Sequence, residues 1–321
     1  MRIVARDEVE RNHRAAPGKR GRRPPILWRH TSGMSIIQAG ELLARLNDPK
    51  LRVADTRWYL NRSGASRAAY RAGHLPGAIF LDLDADLSAP TGPGRHPLPE
   101  PAWFAARLGG LGFADGDTIV AYDDVGGSVA ARLWWMLDDL GFRDAFVLDG
   151  GIQAWTAGGG PLTGDVPTWP PARLTLRPTW SNVIDRQELV GRLGSVALLD
   201  ARARERYRGD VEPVDPAAGH IPTALNNPFS ANLGADGRFL PSVELAARLR
   251  SFGAGDRIVV TSCGSGTNAC HTALAMRLAG LPDPLLYAGS FSDWSRSGMP
   301  VATGDEPGSM EATVDGGHLT P

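Results

Sequence analysis

The run Arg257-Ile-Val-Val-Thr-Ser-Cys-Gly-Ser-Gly-Thr-Asn-Ala-Cys-His-Thr-Ala-Leu-Ala-Met-Arg-Leu278 decides the fold of this chain. Ile258, Val259 and Val260 form a β-branched apolar run of the kind that fills a buried strand. From Ala269 to Leu278 small and apolar residues continue without Gly or Pro, which predicts a helix. Between them lies the uncharged loop Cys263-Gly-Ser-Gly-Thr-Asn268. Its glycines let successive N–H groups turn toward one centre, and the following helix aims its positive end at the same place. Such a loop is an anion cradle, and a cysteine at its first position is held there as a thiolate or an anionic sulfur adduct.

Loop length and charge separate the possible chemistries. A cysteine phosphatase or arsenate reductase needs an arginine that grips a tetrahedral anion in two places, six residues after the cysteine. Here that position is Ala269, and the loop contains no Lys or Arg. No Gly-Lys-Ser/Thr follows either, so a phosphate-binding P-loop is excluded. The cradle is sized for sulfur. Ser265 and Thr267 add hydroxyl donors or stiffen the turn.

Reading outward, the chain repeats itself. Gly116, Asp117, Ile119, Val120 and Trp155 return as Gly255, Asp256, Ile258, Val259 and Trp294, each 139 positions later. Upstream, Asp55-Thr-Arg57 returns as Asp200-Ala-Arg202, and Gly73-His-Leu-Pro76 as Gly219-His-Ile-Pro222. Within the first copy the expected order is a helix Ile36–Leu46 capped by Ser35 and a strand Leu51–Asp55. A strand at Ile79–Leu81, a helix Pro101–Leu108 and a strand Thr118–Tyr122 come next. The copy closes with a helix Ser128–Leu140 and a strand Phe146–Leu148. Alternation at this spacing predicts an α/β fold: two tandem domains at 35–157 and 180–303, each a mostly parallel sheet with helices on both faces. Residues 158–179 form the linker, and 304–321 a polar, Gly-rich tail expected to be disordered. The offset of 139 carries Cys263 onto Asp124, so the first copy has a carboxylate where the second has its thiol and is expected to be inactive.

The Cys263-Gly-Ser-Gly run resembles the two-domain rhodanese family of mercaptopyruvate and thiosulfate sulfurtransferases. So do the paired Gly-His-Leu/Ile-Pro turns and Asp82-Leu-Asp84 followed by His96-Pro-Leu-Pro99. The resemblance implies that Cys263 takes sulfur from a small-molecule donor as a persulfide and yields it to cyanide or a thiol such as thioredoxin. Gly264, Ser265, Gly266, Thr267 and Asn268 would form the active-site loop, with no metal or other cofactor. Arg206 matches the family arginine that meets the donor's anion, while Arg202 after Asp200 reads as structural. A second donor arginine is missing from Glu212–Pro216. The neutral Gly264-Ser265 favours mercaptopyruvate as donor, with thiosulfate as the alternative. A sulfur carrier without turnover is the reading of a different class. His74 and His220 read as turn residues, and Cys270 as packed.

Net charge is −1 at pH 7, which argues against nucleic acid as the main partner, and no apolar run approaches membrane length. Two cysteines give no disulfide framework, pointing to a reducing, cytoplasmic setting. Residues 1–33 carry nine basic residues against Asp7, Glu8 and Glu10, without an apolar stretch after them. They read as a disordered extension or an overlong start ahead of Met34, not as a secretory signal.

Overall fold

A computed structural model describes residues 35–62 and 64–310; the basic segment 1–33 and the tail beyond 310 lie outside the described residues. The first half contains β1 (Ile36–Ile37), α1 (Ala39–Ala44), β2 (Leu51–Asp55), α2 (Ala65–Ala72) and β3 (Ala78–Phe80). It continues with α3 (Pro101–Gly110), β4 (Thr118–Tyr122), α4 (Ala130–Asp139), β5 (Ala145–Leu148) and α5 (Gly151–Ala157). Its strands are all parallel, in the order β1-β5-β4-β2-β3. The second half contains α6 (Arg186–Val190), β6 (Ala197–Asp200), α7 (Arg204–Arg208), β7 (Leu225–Asn226) and α8 (Ser242–Arg250). After these come β8 (Val259–Ser262), α9 (Thr267–Leu278), β9 (Leu285–Leu286) and α10 (Ser290–Trp294). Its parallel order is β7-β6-β8-β9, and Val183 bridges Leu286 as β1 pairs with β5.

Alternation along the strands builds a core on each face of both sheets. Val53 and Val120 pack with Leu42 and Trp155 on one side, while Ala54, Ile119 and Ala121 meet Phe104, Leu133 and Met136 on the other. In the second sheet Leu198 and Val260 pack with Phe291 and Trp294, and Leu199 and Val259 with Leu245, Leu249 and Met276. The repeat extends to single hydrogen bonds. Trp155 and Trp294 are fully buried and donate to the carbonyls of Pro161 (2.8 Å) and Pro300 (2.7 Å). Asp55 holds Arg57, which donates to Gly73 O, as Asp200 holds Arg202, which donates to Gly219 O.

The halves meet along α4 and α9, and the contacts join matching positions. Ser128 just before α4 reaches Asn268 at the start of α9, and Asp138 near the end of α4 pairs with Arg277 near the end of α9. The two helices therefore run side by side in the same sense. Both are apolar around most of their circumference because each is covered by its own sheet and by the other helix. Trp134, Trp135 and Met136 share one core with Cys270, Ala273 and Leu274.

The structure corrects several expectations. No helix begins at Ile36; Ile36 and Ile37 add a short strand beside β5, and the helix starts only after Gln38. A β-branched pair next to an open sheet edge gains more from pairing than from a helical turn. Ile258 is exposed, so the buried strand starts at Val259. The linker is pinned to the first half: Arg52 lies 4.0 Å over the Trp169 ring, and Ala172 and Arg177 donate to Gly109 and Leu140 carbonyls. Residues 304–310 belong to the fold, since Gly304 N–H donates to Arg208 O, Thr223 N–H to Pro307 O, and Asp305 pairs with Arg204 and Arg208.

Candidate active site

Cys263 follows β8 at the C-terminal edge of a parallel sheet, where the chain turns into α9 and ligands of such folds are met. The turn is tight because Gly266 adopts φ +81°, and a Cβ there would stand 2.5 Å from Ala288 O. This geometry brings the N–H groups of Ser265 and Gly266 to 3.4 and 3.1 Å from Cys263 Sγ. The Cys263 N–H donates to Ser290 Oγ at 3.0 Å, and Phe291 and Ser292 N–H groups hold the carbonyls of Cys263 and Gly264. Ser290 sits in the left-handed region at φ +52°, where the first copy has Gly151 at φ +56°. A serine is thus kept under backbone strain of about 1 kcal/mol only in the copy that carries the cysteine.

Of the expected loop, Gly264, Ser265 and Gly266 form the turn, whereas Thr267 and Asn268 are the first residues of α9. Gly266 completes the turn early, which draws the helix N-terminus closer to the sulfur than a six-residue loop would allow.

Sequence reasoning missed the groups delivered by the first half. Ser265 Oγ lies 2.7 Å from His96 Nδ1, and His96 Nε2 lies 3.1 Å from Asp84 Oδ1. Trp58 stacks edge-on against His96 and donates to the other Asp84 oxygen. Burial holds His96 below the usual histidine range, with Arg132 and Arg95 adding to that and Asp84 opposing it. A neutral ring bonded to Asp84 through Nε2–H keeps Nδ1 as an acceptor for the Ser265 hydroxyl. The buried Arg132 of α4 fixes this segment by donating to the carbonyls of His96 (2.9 Å) and Leu87 (3.3 Å). Next in the chain, Arg95 N–H donates to Ser292 Oγ at 3.0 Å. His96-Pro-Leu-Pro99 was visible as a landmark, but its role depends on a contact spanning 169 residues.

Arg206 lies beside the turn, with NH1 3.3 Å from where a Gly264 Cβ would stand, and its other side is held by Glu212 at 2.7–2.9 Å. Arg202 is buried on Asp200, and Arg204 pairs with Asp305 at the surface.

In the first copy, Asp124 accepts the Tyr59 hydroxyl at 2.5 Å. The carboxylate that fills the cradle is its neighbour, Asp123, which accepts N–H groups from Val125, Gly127, Val129 and Ala130 at 2.7–2.9 Å. Burial pushes Asp123 up, and those four donors pull the other way.

The remaining candidates are engaged in packing. His74 and His220 are buried, stacked on Tyr70 and Tyr207, and bonded to backbone carbonyls through both nitrogens. Cys270 donates to Gly266 O at 3.2 Å, and burial pushes its thiol up to about 12. His271 is buried against Phe239 and Phe229, beside Asn232, with Nε2 on Gly126 O; burial brings it down to about 4. On acidification the unfolded chain therefore takes up this proton first, below about 6.5, while the folded protein does not until about pH 4. His271 should remove about 3 kcal/mol of stability across that window. Urea unfolding at pH 7 and at pH 4.5 should show most of this loss in wild type and not in His271→Gln. Equal acid sensitivity in both would refute it.

Two stretches, residues 38–158 and 185–297, match the rhodanese-like domain. The chain belongs to the rhodanese family. It is 46% identical over 283 residues to a probable 3-mercaptopyruvate sulfurtransferase of Pseudomonas aeruginosa, covering 85% of this chain and all of that one. A thiosulfate sulfurtransferase of Mus musculus is 34% identical over 266 residues, covering 78% of this chain and 87% of that one. The 3-mercaptopyruvate sulfurtransferase structure from Leishmania major superposes with a TM-score of 0.72 at 30% identity, covering 84% of this chain and 76% of that one. This rhodanese chain is accordingly a sulfurtransferase with the expected pair of parallel α/β domains. Among the described residues, no helix is long and apolar enough to cross a membrane, and no cluster of His, Cys, Asp or Glu is arranged to hold a metal ion.

Proposed function

We propose that this chain takes sulfur from 3-mercaptopyruvate onto Cys263 as a persulfide and yields it to cyanide or to a thiol such as that of thioredoxin. The observation that carries the reading is the Ser265–His96–Asp84 chain beside a sulfur that already accepts two backbone N–H groups. Cys263 thiolate attacks the donor sulfur, the donor's C–S bond breaks, and its electron pair leaves on carbon as the enolate of pyruvate. The donor S–H proton then passes through the Ser265 hydroxyl and His96 to that carbon, giving pyruvate and a persulfide anion. The N–H groups that face Sγ, with the start of α9, favour the anion before and after transfer. In the second half-reaction an acceptor thiolate, or cyanide, attacks the outer sulfur and Cys263 leaves as thiolate. Thiosulfate would load the same cysteine, but it carries no S–H proton, so the relay would be idle with it.

The first copy is read as the inactive partner that supplies His96, Asp84 and the wall of the cleft. Both cysteines are free thiols, which accords with a reducing cytoplasm. Incubation with each donor followed by mass spectrometry should find one added sulfur on the peptide containing Cys263. Turnover should be faster with mercaptopyruvate than with thiosulfate at equal concentration, and the reverse preference would reject the donor. Arg206→Ala should lower kcat/KM for mercaptopyruvate about tenfold to a hundredfold. Arg204→Ala, which loses only a surface pair with Asp305, should not.

A further inference from the structure

We propose that Arg132, on α4 inside the joint between the halves, is a positioning residue that supplies the buried counter-charge for the anionic sulfur of Cys263. The inference rests on the persulfide reading above, whichever donor loads the cysteine.

Arginine is rarely sealed from water without an acid beside it. Among the described residues the buried arginines are Arg57, Arg132 and Arg202. Arg57 lies on Asp55 and Arg202 on Asp200. At the rim of the cysteine turn, Arg95 and Arg206 are likewise held by Asp215 and Glu212. Arg132 differs from all four. It is fully buried, and its NH2 donates only to the neutral carbonyls of His96 and Leu87, while Nε and NH1 have no hydrogen-bond partner.

The groups that offset this charge are sulfurs. Burial holds Arg132 below the usual arginine range, and Cys270 and then Cys263 act against that. Cys270 keeps its proton, because burial pushes its thiol up to about 12, and it donates to Gly266 O. Asp139 of α4, which also acts on Cys270, spends its oxygens on Ser181 and Asn182. The anion left for Arg132 is the sulfur of Cys263, as thiolate and then as persulfide.

Hydrogen bonds tie the same residue to the reacting atoms by a second route. Arg132 NH2 lies 2.9 Å from His96 O, His96 Nδ1 lies 2.7 Å from Ser265 Oγ, and the Ser265 N–H lies 3.4 Å from Cys263 Sγ. One cation therefore acts on both partners in the chemistry. With burial and Arg95 it keeps the His96 ring neutral against the pull of Asp84, and it favours negative charge on sulfur. These are the two charge states that transfer needs. The start of α9 and the loop N–H groups offer the sulfur partial charges; Arg132 offers a whole one where water cannot screen it.

Glutamine and lysine at position 132 separate charge from bracing. Arg132→Gln keeps a donor for the two carbonyls and loses the charge, whereas Arg132→Lys keeps the charge. Iodoacetamide labelling of Cys263, read from the mass of its peptide, needs no sulfur donor. At pH 7 Arg132→Gln should label about tenfold or more slowly than wild type. At pH 10, where thiols ionise without help, the two rates should meet. Arg132→Lys should stay within about threefold of wild type at both. In turnover, the acid limb set by His96 should move to higher pH in Arg132→Gln and keep its place in Arg132→Lys. Should Arg132→Gln fail to fold, Arg132→Met, which fills the space without charge, takes its place in the labelling. If Arg132 only braces the His96 loop, the neutral variant labels as wild type does, or is slowed equally at pH 7 and pH 10, and the proposal is overturned. If wild type forms no persulfide with any donor, the persulfide reading fails; the labelling still decides whether Arg132 acts on Cys263.

Discussion

Serine at position 263 should leave a folded protein that transfers no sulfur from any donor. Hydroxyl is a poor nucleophile toward sulfur, and the loss should be on the order of a thousandfold or more in kcat. The fold should be unaffected, because Sγ accepts only two long N–H contacts and the turn is held instead by Ser290, Phe291 and Ser292. Cys270→Ser is the matched control. That thiol is fully buried, bonded to Gly266 O and pushed up to about 12, so it stays protonated and apart from the donor. It should keep most of its turnover. If both variants were dead, a resolving thiol would have to replace the single persulfide.

His96→Asn should be the next most damaging change, lowering kcat with mercaptopyruvate by about a hundredfold to ten-thousandfold. Asparagine keeps a polar group near Ser265 but cannot take up the proton of its hydroxyl and give it back to the product carbon. The loss with thiosulfate should be much smaller, since that donor brings no proton to move. The pH profile supplies a second readout. Burial holds His96 below the usual histidine range. As pH falls through that lowered value the ring gains a proton on Nδ1, loses its acceptor for Ser265, and the rate declines. Wild type should therefore show an acid limb below about 6.5 that is absent in His96→Asn. Equal losses with both donors would assign His96 to holding the turn and not to proton transfer.

The α/β alternation, the duplication and the cysteine turn were legible because each leaves a local mark. β4 was read to the residue, and the 139-residue offset reappears in paired Trp–Pro hydrogen bonds. What stayed hidden lies in contacts without local pattern. Ile36–Ile37 is too short to show a period, and only its neighbour β5 makes it a strand. His96, Asp84 and Arg95 sit in a loop that reads as ordinary turn chemistry until the halves dock against Ser265 and Ser292. The first copy was misjudged by one residue. The offset of 139 pointed to Asp124, but Tyr122 pairs with Asp55 as Ser262 pairs with Asp200, so the residue standing in the place of Cys263 after the strand is Asp123.

That one-residue difference makes the specialisation of the halves hard to undo. The Asp123 side chain is both a plug, tethered in the socket where a guest anion would sit, and the clasp that anchors the start of α4 through Val129 and Ala130. A cysteine introduced at 124 would stand beside a socket already stopped by its own neighbour. Pulling the plug would free the socket but unfasten the helix on which the other half rests. The socket is part of the joint, and a second sulfur site could be built there only by first rebuilding that joint.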